Sequence, residues 1–137
     1  MEKFKEYATV YTIGSVAYSW LEVAWRGFTH WSMTLAGGVG FLLLYLTDWR
    51  LKGRSLLERA AAGCAVLTSV EFLFGCVVNK LLRLDVWDYS KERGNLFGQV
   101  CPLYTILWFL LCIPVMPASR ELREKLLHQQ EYVQLTA

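Results

Sequence analysis

The sequence predicts an all-α integral membrane protein, a bundle of four transmembrane helices, on three observations. The first is composition. Of 137 residues, 55% are hydrophobic and 15% aromatic, and only 19% are charged; ordinary soluble domains carry about 25% charged residues. The second is where charge is missing. Residues 27–47 and 94–119 contain no Asp, Glu, Lys or Arg, residues 60–79 contain only Glu71, and residues 7–25 only Glu22. Each window approaches the roughly 20 residues that a helix needs to cross a bilayer. The third is the placing of the basic residues. Nine of the fourteen Lys and Arg fall in the two termini and the loop after the second window, and five in the other two loops. The positive-inside rule then sets both termini in the cytoplasm.

Helices are expected at 7–26, 32–49, 59–82 and 96–117, all within one membrane domain covering 1–137. No small-residue cleavage site follows a short apolar core near MEKFKEY, so the first helix is expected to stay in the mature chain. The bilayer is the partner that composition demands. A net charge of +2 is too small to point to nucleic acid.

In the first helix Ser15, Ser19, Glu22 and Arg26 are spaced by 4, 3 and 4 and share one face. Glu22 and Arg26, at i and i+4, are placed to neutralise each other. The turn GFTHWS follows, with His30 as a polar cap. Trp25, Trp31 and Trp49 fall at helix ends, where the membrane interface accounts for them. Ala36, Gly37, Gly38 and Gly40 in the second helix allow close approach by another helix. The loop DWRLKGRSLLERA is basic and suits anionic lipid, with Ser55 near the start of the third helix.

The third helix repeats the pattern of the first. Cys64, Thr68, Glu71, Gly75 and Asn79 form one stripe. Glu71 lies mid-window, where a carboxyl must pair, face water or stay protonated. Gly14 precedes Glu22 by eight residues and Gly63 precedes Glu71 by eight, a two-fold echo that fits a weak internal duplication. The stretch from Glu71 to Gln99 then concentrates polar groups: Asn79, Asp88, Tyr89, Asn95 and Gln99. With Glu22, Arg26 and Glu71 these are the candidate substrate- or ion-binding residues, expected to form an outward-facing polar pocket floored by the two glutamates. In the alternative they only satisfy one another and fix helix packing. Pro102 is expected inside the fourth helix, freeing the carbonyl of Gly98. Ser119 is expected to cap a short cytoplasmic helix at 119–131 in which Glu121 and Lys125 pair. The four cysteines lie in apolar windows without a CxxC pair and read as packing residues, with a Cys76–Cys101 disulfide left open.

The run SWLEVAWRGFTHWSMTLAGG resembles the first motif of the CmpB-like membrane proteins, labelled ABC-transporter type IV permeases, whose animal relatives are small transmembrane proteins. The run VEFLFGCVVNKLLRLDVWDYSKERGNLFGQVCPLYTILWFLL resembles the second. The matching positions are Glu22, Arg26, Gly27, Glu71, Asn79, Trp87, Asp88, Tyr89, Asn95 and Gly98. The resemblance implies a multi-pass membrane protein of transporter type. No GxxxxGK[ST] phosphate loop is present, so ATP hydrolysis, if involved, is the work of a partner. No cofactor or metal is implied.

Three functions fit these readings. A small permease, expected as a homo-oligomer such as a dimer, would use Glu22 and Glu71 to bind a cation or exchange protons. A membrane enzyme acting on lipid-linked substrates would draw acid–base chemistry from Glu22, Glu71, His30 and Asp88. It lacks a nucleophile elbow, an HExxH and a paired-histidine site. A structural or regulatory subunit would have no substrate.

Overall fold

A computed structural model describes residues 1–136. It contains four helices: α1 (Glu2–Arg26), α2 (Trp31–Arg50), α3 (Leu56–Gly75) and α4 (Pro102–Thr136). A π-helical segment, Cys76–Leu81, continues α3. Among the described residues no strand forms; the sole pairing of that kind is an isolated antiparallel bridge between Leu96 and Val100.

Local chemistry sets most boundaries. Gly27 ends α1 in the left-handed conformation, φ 82°, and its N–H donates to the carbonyl of Val23. His30 caps α2, its ring nitrogen accepting from the Ser32 N–H. Ser55 and Glu58 form a reciprocal capping box at the start of α3, three residues earlier than expected.

Two expectations about α4 are corrected. The fourth helix begins at Pro102 and not at 96, because the chain from 95 to 100 turns back on itself. Pro102 is therefore the first helical residue, where its missing N–H is harmless, and it does not bend a helix beside Gly98. There is also no separate helix at 119–131. Ser119 Oγ donates back to the Met116 carbonyl at 2.8 Å and caps nothing, so α4 runs unbroken through Pro114 and Pro117. Glu121 and Lys125 pair at 2.8 Å on its exposed face.

The helices form two hairpins. α1 lies along α2 and α3 along α4, with α2 also against α3. Glycines set both crossings. A Cβ on Gly37 would fall 2.4 Å from the Tyr18 Cβ, and one on Gly63 would fall 2.6 Å from the Met116 Cε. Gly14 and Gly63, the glycines of the two-fold echo, each stand where the helices of a hairpin cross: Gly14 against Phe41 and Gly63 against Met116 and Cys112. An apolar core of Leu44, Ala60, Cys112 and Met116 ties α2, α3 and α4 together. All four cysteines are free thiols, Cys76 and Cys101 included.

Leu56–Leu81 and Pro102–Thr136 are long and apolar enough to cross a membrane, while α1 and α2 are less clearly so. Large apolar side chains cover outer faces, among them Val16, Trp20 and Val23 on α1 and Leu103, Ile106 and Leu110 on α4.

Candidate functional site

One end of the bundle carries the segment joining α3 to α4, here the loop end. The loop is held on a polar frame. Its first pillar is Asn79, aimed by the wide π turn in which the Leu82 N–H reaches back to the Val77 carbonyl. Asn79 Oδ1 accepts from the backbone N–H of Val86 at 2.7 Å and of Trp87 at 3.4 Å. Its Nδ2 donates to Gln99 Oε1 at 2.8 Å. Gln99 Nε2 donates to the Phe97 carbonyl, and the Gln99 carbonyl accepts from the Trp87 indole N–H. Gly75 makes room, since a Cβ there would stand 2.5 Å from Gln99 Oε1.

Two further candidates cap the loop. Asp88 accepts from the N–H and hydroxyl of Ser90, each at 2.9 Å. Those two bonds hold the exposed Asp88 carboxyl below the usual carboxylate range. Asn95 donates to the carbonyls of Ser90 and Glu92 and accepts from the Gly98 N–H. Phe97 and Gly98 both take positive φ, 53° and 70°, a conformation that glycine adopts freely and that costs Phe97 some strain.

The frame brings Tyr89 over the bundle interior, its N–H donating to the Gly98 carbonyl at 2.8 Å. Tyr89 stacks on Tyr104 of α4 with centroids 4.5 Å apart, and its hydroxyl donates to Glu71 Oε1 at 2.9 Å. The other Glu71 oxygen accepts from the Trp108 indole N–H at 2.9 Å. Glu71 is 8% exposed. Among the described residues no Lys, Arg or His lies within ion-pair distance of it. Its partners are Tyr89 and Trp108.

Glu22 and Arg26 approach from α1. Arg26 Nε lies 2.7 Å from Glu22 Oε2, and Glu22 Oε1 accepts from the Tyr18 hydroxyl at 2.8 Å. Arg26 Nη1 donates to the Val86 carbonyl at 3.0 Å, joining α1 to the loop. Its Nη2 is buried and has no partner. The rest of the α1 stripe turns elsewhere: Ser19 bonds Thr34 of α2, and Ser15 fits against Gly38.

Two adjoining cavities lie beneath this arrangement. One, of about 320 Å³, is lined by all four helices and is apolar apart from Glu71 and Tyr18. The other, of about 210 Å³, carries Glu22, Arg26 and Tyr89. Tyr18, Trp87 and Trp108 border both. Of the eight candidates, Glu22, Arg26, Glu71 and Tyr89 therefore line cavities, while Asn79, Asp88, Asn95 and Gln99 build the loop that brings Tyr89 in.

The family model described as "Putative ABC-transporter type IV", the CmpB family, matches residues 7–136. The chain belongs to this family. The family's name is that of a transporter component, and together with two apolar helices it points to a membrane location and to a membrane or ATPase partner. No curated protein and no solved structure matches the chain. Both motifs quoted from the sequence, around Glu22 and around Glu71, lie inside the stretch matched by the CmpB family.

A second polar cluster closes the opposite end, and sequence reasoning missed it. Asp48, 2% exposed, accepts from Arg59 of α3 and from Arg120 Nε of α4, the latter at 3.1 Å. Glu6 of α1 accepts from the Tyr45 hydroxyl and stands 3.8 Å from Arg123, whose guanidinium lies over the Tyr45 ring. Every helix contributes. Arg59 is thus an internal ion-pair partner and is not free for the lipid anchoring expected of the basic loop, whereas Arg50, Lys52 and Arg54 are exposed. The signal available was that Glu6 and Asp48 are acids directly bordering the charge-poor windows 7–25 and 27–47, on the side richest in Lys and Arg.

Proposed function

We propose that the protein is a four-span permease component of transporter type, with both termini cytoplasmic and the loop end outside. In this reading the paired cavities form an outward-facing site in which Glu71 binds a cation or exchanges a proton, Glu22 shares that task, and Arg26 tunes Glu22. Two chains pair in the membrane, and any ATP hydrolysis comes from a partner. One observation carries the proposal: Glu71 stands on a cavity wall in the bundle interior, bonded only by the neutral donors of Tyr89 and Trp108. A buried carboxyl without a fixed cation takes its counter-charge from a proton or a bound cation.

A subunit without a substrate is the second reading, favoured by the four candidates that serve only the loop frame. Vesicles loaded with a pH-sensitive dye and driven by a potassium diffusion potential separate the two. Wild-type protein should carry protons faster than empty vesicles, Glu71→Gln should match empty vesicles, and Glu71→Asp should keep part of the rate. A Glu71→Gln protein as fast as wild type, or one that fully complements a deletion strain, leaves the subunit reading. Topology is checked with single cysteines at Lys3, Lys91 and Gln134 in a cysteine-free chain: labelling from outside intact cells at 91 alone is expected, and labelling at 3 or 134 instead inverts the orientation. Light scattering in detergent that returns a monomer mass removes the dimer.

A further inference from the structure

We propose that the paired cavities take a lipophilic organic cation, its apolar body among the four helices and its charged centre between Glu71 and the aromatic wall. The inference rests on the permease reading and names its substrate class.

Three features select this occupant. The first is charge. Glu22 and Arg26 neutralise each other within the wall, so an ionised Glu71 leaves the site one negative charge in excess. The second is the surface around that charge. Tyr18, Trp87 and Trp108 border both cavities, and Tyr89 lines the second. Aromatic faces attract cations through their quadrupoles, more strongly where the cation is desolvated. The carboxylates also orient this wall, because the hydroxyls of Tyr18 and Tyr89 and the indole N–H of Trp108 are all bonded to Glu22 or Glu71. The third is the lower cavity. Apart from Glu71 and Tyr18 its lining is made of groups such as Ile13, Leu21, Phe41 and Leu67, which offer no hydrogen bonds to a small hydrated ion, and its volume of about 320 Å³ falls at the small end of pockets that enclose drug-sized ligands. A bare metal or ammonium ion would leave that space unused. An anionic amphiphile is the competing occupant, drawn by the unpartnered Nη2 of Arg26, but it would set its charge against Glu71.

Tetraphenylphosphonium and tetraphenylborate share a shape and differ in the sign of charge. Each is measured separately, by equilibrium dialysis against the purified full chain in detergent. Tetraphenylphosphonium should bind saturably and tetraphenylborate at least tenfold more weakly. Glu71→Gln should lose at least tenfold in phosphonium affinity and Glu71→Asp less. Tyr18→Leu, which removes the ring, should lose about threefold or more, and Tyr18→Phe, which keeps the ring and loses only the bond to Glu22, should lose less. Each variant is compared only if its thermal transition and gel-filtration volume match a folded chain, and Glu71→Asp with Tyr18→Phe keep the comparison open if the others fail. Borate binding as tight as phosphonium overturns the proposal, as does phosphonium binding that ignores Glu71→Gln, or no binding of either ion. If neither ion binds while Glu71→Gln still abolishes proton flux in vesicles, the substrate class is wrong and the permease reading stands. If Glu71→Gln changes neither binding nor flux, both fall.

Discussion

The two ends of the bundle solve the problem of buried charge in opposite ways. At the terminal end two acids, Glu6 and Asp48, meet three arginines, Arg59, Arg120 and Arg123. At the loop end two acids, Glu22 and Glu71, meet one arginine, Arg26, which is paired with Glu22 alone. Asp48 is shared by guanidinium groups from two helices and sits beside a packed apolar core. Glu71 has only neutral donors and opens on a cavity. A carboxylate fixed between two cations has no reason to change charge, and it clamps the helices that supply them. One held by neutral donors keeps its charge state open. The first arrangement joins α1, α2, α3 and α4; the second leaves room between them.

Removing one acid from each end tests this contrast most strongly. Asp48→Asn should destabilise the protein by about 3–5 kcal/mol, because it leaves Arg59 buried without a counter-charge. Glu71→Gln should cost about 1 kcal/mol or less, since its amide oxygen still accepts a neutral hydrogen bond. Thermal melts of both variants in one detergent give the comparison, and equal losses would erase the distinction between the two ends.

The loop frame is the next target. Gly98 has φ 70°, and a Cβ would stand 3.0 Å from Asp88 Oδ1. Gly98→Ala should therefore cost about 1–3 kcal/mol and loosen the Gly98 carbonyl from Tyr89. The tyrosine environment near Glu71, read by near-ultraviolet dichroism, should change with it. An unchanged signal and transition temperature would show that the frame does not hold Tyr89.

A smaller effect than the loss at Asp48 or the strain at Gly98 is expected from the coupling between Glu22 and Arg26. Their side chains are 11% and 23% exposed, so the pair is screened less than a surface one, and a coupling of about 1 kcal/mol is expected from a double-mutant cycle of Glu22→Gln and Arg26→Ala. Single losses that simply add would mean that Arg26 serves the loop through the Val86 carbonyl and not the acid.

Contacts within one helix were the most legible. Glu22 with Arg26 and Glu121 with Lys125 are both read from i,i+4 spacing, which an α-helix turns into proximity wherever it lies. The capping role of His30 and the close-packing role of the glycine stretch in α2 were also readable, because they depend on local geometry and on side-chain size. The four apolar windows located the four helices, though their ends moved where the capping box at Ser55 or the fold-back before Pro102 overrode hydropathy.

What the sequence by itself determined was the all-helical class, the positions of the helices, and the two glutamates in apolar surroundings. Only the tertiary structure decided which groups meet those charges. Glu71 finds Tyr89 and Trp108, which are 18 and 37 residues away, and Asp48 finds Arg120, 72 residues away. The π turn at the end of α3 was equally hidden; it aims Asn79, a residue expected in a pocket, at the loop backbone and so makes it part of the loop frame. The reason is physical. Periodicity says which side of a helix a residue occupies, but the partner it meets depends on how helices cross and where a loop returns, and those are settled by packing among residues far apart in the chain.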